Sequence, residues 1–581
     1  MTCKARTAKV VGIVLCIIPV IALGQTFNSM PPSTINNRFR VDAFQYSDTG
    51  LGYYPVKHPS LTLNGFDNGE NNSHGYGLKQ ILQIAYQGTN PMVDKKFNQI
   101  VDNSLKQIVN PASPPPNESA LIAVNNNSNI AQCRAFVALE RYVCYKNGIT
   151  QQIPNATTNA PDYSIAIDSL KSALTMPSSY FLANSSIAGD QVKWTRSLEN
   201  MARALDLYLA LENAFQHYIE PDYTDSVTGG RLLSVTQKVA LEKAIKDNMD
   251  AINTYLADPV HGVLSKSERF VEPGNRPLKM EVAIGYAALT MQDYDYTGPY
   301  AEAFNTSTTY FDCRDYLGTA LEAAGEQTNS DRFKKWNYET DNGGHFWAEG
   351  PYYLNYALLD VVPFWHAIRI NGMLNSYNDN ISDPFQNRWF MNPLDWLADL
   401  TTDHGELPPI DDGNKYPINA APMLRWTSTY GGSTWHTTAA KYAWIGDKMN
   451  EYFSSREDPS LDLVELAIPR IPVGQGTAPS AYMGDASPSS KTEQQLVIRK
   501  TIGEKMHYLL LNGENGDADI RGEGHEEAGQ LQLLYYIDGT SYLMDTGYDH
   551  APGLSNSTWN GYQYHNVMTM LRVSYRLTTA E

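Results

Sequence analysis

Cysteine is scarce in this chain, with five in 581 residues. Cys3 and Cys16 sit at the extreme N-terminus, which leaves Cys133, Cys144 and Cys313. None is spaced as CxxC, and the odd remainder argues against a disulfide framework or a cysteine-built metal site. The pattern from Ala131 to Tyr145 predicts a helix. If Cys133 and Cys144 share it, a rise of 1.5 Å per residue sets them about 16 Å apart, too far to bridge. Charge is sparse as well: 18% of residues are charged, and the balance is −19. A chain so acidic is a poor partner for nucleic acid, and a polyanionic ligand would need a local basic patch. After the leader, no apolar run is long enough to cross a bilayer, so no stable membrane insertion is expected once the leader is cut.

The leader itself has a secretory pattern. Lys4, Arg6 and Lys9 precede the apolar stretch Val10 to Leu23, which ends in Ala22-Leu23-Gly24. A positive start, a short apolar core and small residues before the cut describe a signal peptide over residues 1–24, with Gln25 opening the mature chain. The expected location is therefore secreted or periplasmic.

Aromatic residues are abundant, with 37 tyrosines and 10 tryptophans. Flat aromatic faces suit sugar rings, and they suit large cores equally. From about residue 162 to 453 the apolar period is helical. Trp194, Leu198, Met201, Leu205 and Tyr208 form one stripe, and Leu241, Ile245, Met249, Ile252 and Leu256 another. Further helices are predicted over Met280–Met291, Tyr316–Ala324, Asn355–Ile370, Pro393–Leu400 and Trp435–Phe453. Helices recurring this way suggest stacked hairpins closed into an α/α toroid. After a Pro/Gly/Ser-rich passage the pattern becomes strand-like at Gln495–Lys500, His507–Leu511, Leu531–Tyr536 and Ser541–Met544, with Asp538-Gly539 as a hairpin turn. The expected plan is a leader, an N-terminal segment over 25–160, a toroid over 161–468, a linker over 469–490 and an antiparallel β-sandwich over 491–581, incomplete at its C-terminus.

Within the helical region a single run concentrates polar chemistry: Gly344-His345-Phe346-Trp347-Ala348-Glu349-Gly350-Pro351-Tyr352-Tyr353-Leu354-Asn355-Tyr356. Pro351 suits the first turn of a helix, where its missing N–H is not needed. Tyr352 and Tyr353 fall in that turn, and Tyr356 lies one turn beyond Tyr353 on the same face. The following apolar stretch to Ile370 must be buried, so a rigid helix is expected to hold phenols at its mouth.

The run His345–Tyr356 is similar to the Glu-Gly-Pro-Tyr-Tyr helix start of the heparinase II/III-like polysaccharide lyases, which join an α/α toroid to a β-sandwich. A second region supports the resemblance: Gly522-Glu523-Gly524-His525-Glu526-Glu527, the Asp538-Gly539 turn, Leu543-Met544-Asp545-Thr546-Gly547, and Tyr564-His565-Asn566-Val567. Leu407-Pro408-Pro409-Ile410-Asp411-Asp412 looks like a toroid loop of these enzymes. Such enzymes cut uronate-containing chains by β-elimination. One group neutralises the uronate carboxylate, a base takes the C5 proton, and a phenol returns a proton to the leaving oxygen.

The resemblance implies Tyr353 as the catalytic phenol, with Tyr352 in reserve and His345 and Glu349 lining the same cleft. Asn275 and Arg276 stand where relatives have Asn-His, as carboxylate neutralisers. Tyr356, Lys279 and Asp411 would contact an acidic polysaccharide. Some members hold a structural zinc in the sandwich, and the matching positions are His525, Asp545 and His565. No organic cofactor is implied. One departure is marked: the first histidine of the family's His-Gly-His is Glu523 here. Glu523 then serves as base, or Tyr353 does both jobs, or catalysis is lost. Two other classes stay open. A glycoside hydrolase would pair Glu349 with Asp411 or Asp412, and a non-catalytic glycan-binding protein would keep only the aromatic cleft.

Overall fold

A computed structural model of the chain describes residues 61–63, 75–87, 91–107, 118–146, 191–217, 235–256, 275–290, 349–371, 388–410, 462–467, 494–513 and 532–543, with a few isolated positions between them. Among these the chain is mostly helical, with a small antiparallel sheet towards the C-terminal end. In chain order the helices are α1 (Leu78–Gln87), α2 (Pro91–Ser104), α3 (Glu118–Lys146), α4 (Gln191–His217), α5 (Val235–Leu256), α6 (Asn275–Thr290), α7 (Gly350–Ile370), α8 (Arg388–Leu400) and α9 (Asp462–Ala467). None of the described helices is long and apolar enough to cross a membrane.

The helices pack in a relay: α3 lies along α4, α4 along α6, α6 along α7, and α7 touches α8. The apolar stripes drive this. Leu198, Met201, Leu205 and Tyr208 of α4 are buried, as are Ile245, Met249 and Ile252 of α5. Gly285 of α6 marks a close approach: a Cβ there would fall 2.0 Å from the Cβ of Ala320. The short segment Leu61–Leu63 threads between three helices. Asp206 of α4 accepts from the Leu61 N–H at 3.0 Å, and His366 of α7 meets the Thr62 carbonyl at 2.7 Å.

Of two helix starts, one follows the sequence pattern and one does not. α7 begins at Gly350 with Pro351 in its first turn, as the pattern predicts. α6 begins at Asn275, five residues ahead of the predicted Met280. Pro277 sits in its first turn, where an N–H has no intrahelical partner to lose. Residues read as a loop before the helix are therefore its first turn and a half.

The sheet runs in the order β1 (Tyr482–Met483), β2 (Gln494–Ile502), β3 (Lys505–Gly513), β4 (Gln532–Ile537) and β5 (Thr540–Leu543), all neighbours antiparallel. The predicted Asp538-Gly539 turn joins β4 to β5, with both residues at positive φ (48° and 72°), as a two-residue hairpin requires. Gly539 also meets a steric demand, because a Cβ there would lie 2.0 Å from His404.

Strand alternation puts Val497, Tyr508, Leu510, Leu534 and Tyr536 on a buried face. That face docks on the end of α8. Arg499 donates to the carbonyls of Asp399 (2.6 Å) and Thr401 (2.5 Å), and the Tyr508 hydroxyl donates to that of Leu400 (2.6 Å). These carbonyls are the orphan acceptors of a helix C-terminus. Trp396 donates to Gln495, which donates to Asn512, extending the junction.

Candidate active site at two helix starts

The N-termini of α6 and α7 are joined by one carboxylate. Glu349 directly precedes α7. Its Oε2 accepts from the Asn275 backbone N–H at 2.9 Å and from Trp347 Nε1 at 3.1 Å, while Oε1 accepts from Asn275 Nδ2 at 2.9 Å. Glu349, Asn275 and Trp347 are all buried. The carboxylate thereby satisfies a free N–H at the start of α6. It also fixes which way the Asn275 amide lies, since only Nδ2 can donate to it. The Asn275 Oδ1 is buried and has no hydrogen-bond partner.

The tyrosines line the first two turns of α7. Tyr352 and Tyr353 meet edge to face at 5.3 Å between centroids, and Tyr352 and Tyr356 stack nearly parallel at 6.4 Å. All three are half-buried. Helical spacing explains the grouping, because residues three and four apart share a face.

Lys279 does not offer its charge to a cleft. It is fully buried one turn into α6, pairs with Asp360 of α7 at 2.6 Å, and donates to the Tyr356 carbonyl at 2.7 Å. Its ammonium lies 3.4 Å from the centre of the Tyr356 ring. The reading of Lys279 as a substrate-contacting cation is corrected to a cation beneath a tyrosine, because Asp360 draws it inward. Burial lowers the Lys279 pKa, and Asp360 opposes that. Burial pushes the Asp360 carboxyl up, but Arg196 and Lys279 outweigh it and hold the group below its ordinary range.

Asp360, Arg196, Glu199 and Arg203 were not singled out from the sequence. Arg196 bridges Asp360 (3.1 Å) and Glu199 (3.3 Å), and Arg203 reaches Glu199 at 3.2 Å. Burial, then the neighbouring Asp360, pushes the Glu199 pKa up to about 8. The available signal was Asp360 itself, an acid within the apolar stretch of α7, which demands a buried cation.

Asn275, Glu349, Tyr352, Tyr353, Tyr356 and Lys279 are thus gathered at the α6–α7 junction. Arg276 belongs to the first turn of α6. His345, Asp411, Glu523 and the expected zinc ligands His525, Asp545 and His565 lie outside the described residues, as do Asp412 and the leader. Among the described residues no cluster of His, Cys, Asp and Glu could hold a metal ion.

No family model matches the chain, and no curated protein matches it. Among solved structures, a heparinase III aligns with 13% identity and a TM-score of 0.38, over 81% of this chain and 60% of its own. A second heparinase III structure, with methylated lysines, aligns with 11% identity and the same TM-score, over 81% of this chain and 61% of its own. The chain thus spans about 60% of the length of the structures it matches. So distant a likeness concerns overall shape and identifies no residue.

Proposed function

We propose that this protein is an exported polysaccharide lyase that cleaves a uronate-containing polysaccharide by β-elimination, on an α/α toroid joined to a β-sandwich. The observation that carries the reading is the Glu349 bridge. It holds Asn275, the motif-matched neutraliser, beside the tyrosine-bearing start of α7. In this reading the second Nδ2 hydrogen of Asn275 and the helix starts around it stabilise the developing enolate. Arg276 adds charge, and a phenol of the Tyr352–Tyr353–Tyr356 group exchanges protons with substrate. His345, Asp411 and Glu523 complete the cleft. His525, Asp545 and His565 would be the ligands of a structural zinc, which would pin the sandwich and supply no step of the proton transfers.

The same bridge weighs against the hydrolase alternative. A hydrolytic Glu349 needs a carboxyl facing the glycosidic oxygen, whereas both of its oxygens accept hydrogen bonds from buried donors. The test is to incubate the mature protein with a panel of acidic polysaccharides while following ultraviolet absorbance and reducing ends together. Elimination leaves a conjugated unsaturated uronate that absorbs, and Asn275→Ala should suppress it. Reducing ends without absorbance would overturn the reading in favour of hydrolysis.

A further inference from the structure

The three tyrosines at the start of α7 are not equivalent. Tyr356 has the Lys279 ammonium 3.4 Å from its ring centre, and that ammonium belongs to an island of buried charge built on three helices. The island comprises Lys279 of α6, Asp360 of α7, and Arg196, Glu199 and Arg203 of α4, with side chains no more than 6% exposed. Burial, then Asp360, pushes the Glu199 pKa up to about 8, and the carboxylates of Glu281 on α6 and Glu349 before α7 are buried as well. Asp360 lies 2.6 Å from the Lys279 Nζ and opposes the lowering of its pKa by burial. On α8, which also packs on α7, Asp395 and Asp399 pair with Lys441 at 3.6 and 2.8 Å.

A phenolate ring attracts a cation more strongly than a phenol ring, so a cation at the ring face favours ionisation. Burial acts in the opposite sense. Tyr286 and Tyr508 each have an arginine 5.0 Å from the ring centre, yet both are fully buried, and burial pushes both of their pKa values up. Tyr356 combines a closer cation with partial exposure. We propose that Tyr356 is the phenol that works ionised, as the base that takes the C5 proton, and that Lys279 is the positioning residue that sustains its phenolate. This assignment rests on the lyase reading. In the step, the C5 proton passes to the Tyr356 phenolate oxygen and the C–H electron pair becomes the C4–C5 double bond. The C4–O bond breaks, and the leaving oxygen takes the proton of a neutral phenol, that of Tyr353. Water then returns both phenols to their starting states.

The test needs no substrate. Tyrosinate absorbance of the full-length protein is followed as pH rises, since ordinary phenols ionise near pH ~10. One tyrosine should ionise ahead of the rest. The early signal should vanish in Tyr356→Phe and persist in Lys279→Arg. It should move up in Lys279→Met/Asp360→Asn, a pair that leaves no buried carboxylate facing an absent cation. An early signal that survives Tyr356→Phe, or disappears with Tyr353→Phe instead, overturns the assignment. An early-ionising Tyr356 in a protein that cleaves no polymer would uphold the effect of Lys279 on the phenol and reject both the lyase reading and the role of base. Unsaturated product from a protein whose Tyr356 ionises with the rest would uphold the lyase reading and reject the assignment.

Discussion

Lys279 and Arg499 are both buried cations lying over a tyrosine ring at a junction between elements, and their surroundings give them different roles. Arg499 donates to the carbonyls of Asp399 and Thr401 at the end of α8, and the tyrosine beneath it, Tyr508, donates its hydroxyl to Leu400. These bonds tie the sheet to the helical region, and a fully buried phenol stays neutral. Lys279 pairs with Asp360, which Arg196 also reaches, and its tyrosine remains partly exposed. A cation near an aromatic ring is therefore not a functional sign by itself. What distinguishes the α6–α7 junction is a close buried cation beneath a partly exposed phenol.

The two cations should separate most clearly at their counter-ions. Asp360→Ala strands Lys279 and Arg196 in the interior and should cost about 3–5 kcal/mol in denaturant unfolding. Asp403→Ala removes a looser partner of Arg499, 3.8 Å away, and should cost under about 1 kcal/mol. Equal losses would mean that the two cations are held alike.

Next in size is Glu349→Gln. Glutamine brings an N–H where three donors converge, so one of them loses its acceptor, at about 1–3 kcal/mol. The same change should release Asn275 and lower turnover more than substrate affinity. Steady-state rates of the double variant with Asn275→Ala check this, because the two losses should not add.

Tyr508→Phe leaves the Leu400 carbonyl unanswered. It should cost about 1–2 kcal/mol by thermal unfolding without altering any early tyrosine ionisation.

Glu199 sets a slope against pH and not a loss at one pH. Its folded pKa, raised to about 8, lies above the value of an unfolded carboxyl near ~4.3. The folded state therefore holds a proton that the unfolded state has released across that window, and stability falls as pH rises through it. Glu199→Gln keeps an acceptor for Arg203 but cannot ionise. It should flatten the fall by on the order of 1 kcal/mol per pH unit, read as melting temperature against pH.

How much of this was legible in the sequence follows from how local each signal is. The β4–β5 turn was readable because Asp-Gly needs only its own two residues to adopt positive φ. The start of α7 was readable from Pro351 and the tyrosine spacing. The start of α6 was not, because the carboxylate that satisfies it is Glu349, 74 residues later. The role of Lys279 was hidden for the same reason: its partner Asp360 lies on another helix, inside a stretch that reads as apolar. The helices α1 and α2 are amphipathic and short, and went unpredicted. The N-terminal segment beside His366 has no period at all, since it is held by single hydrogen bonds to three helices.

Everything proposed for the α6–α7 junction turns on the polysaccharide bond being broken by elimination. Mass spectrometry of the oligosaccharides that the mature protein releases from an acidic polymer decides the point. The expected products carry new ends lighter by one water than hydrolysis would leave, and they disappear in Tyr356→Phe. Products bearing the full mass of added water would refute the elimination.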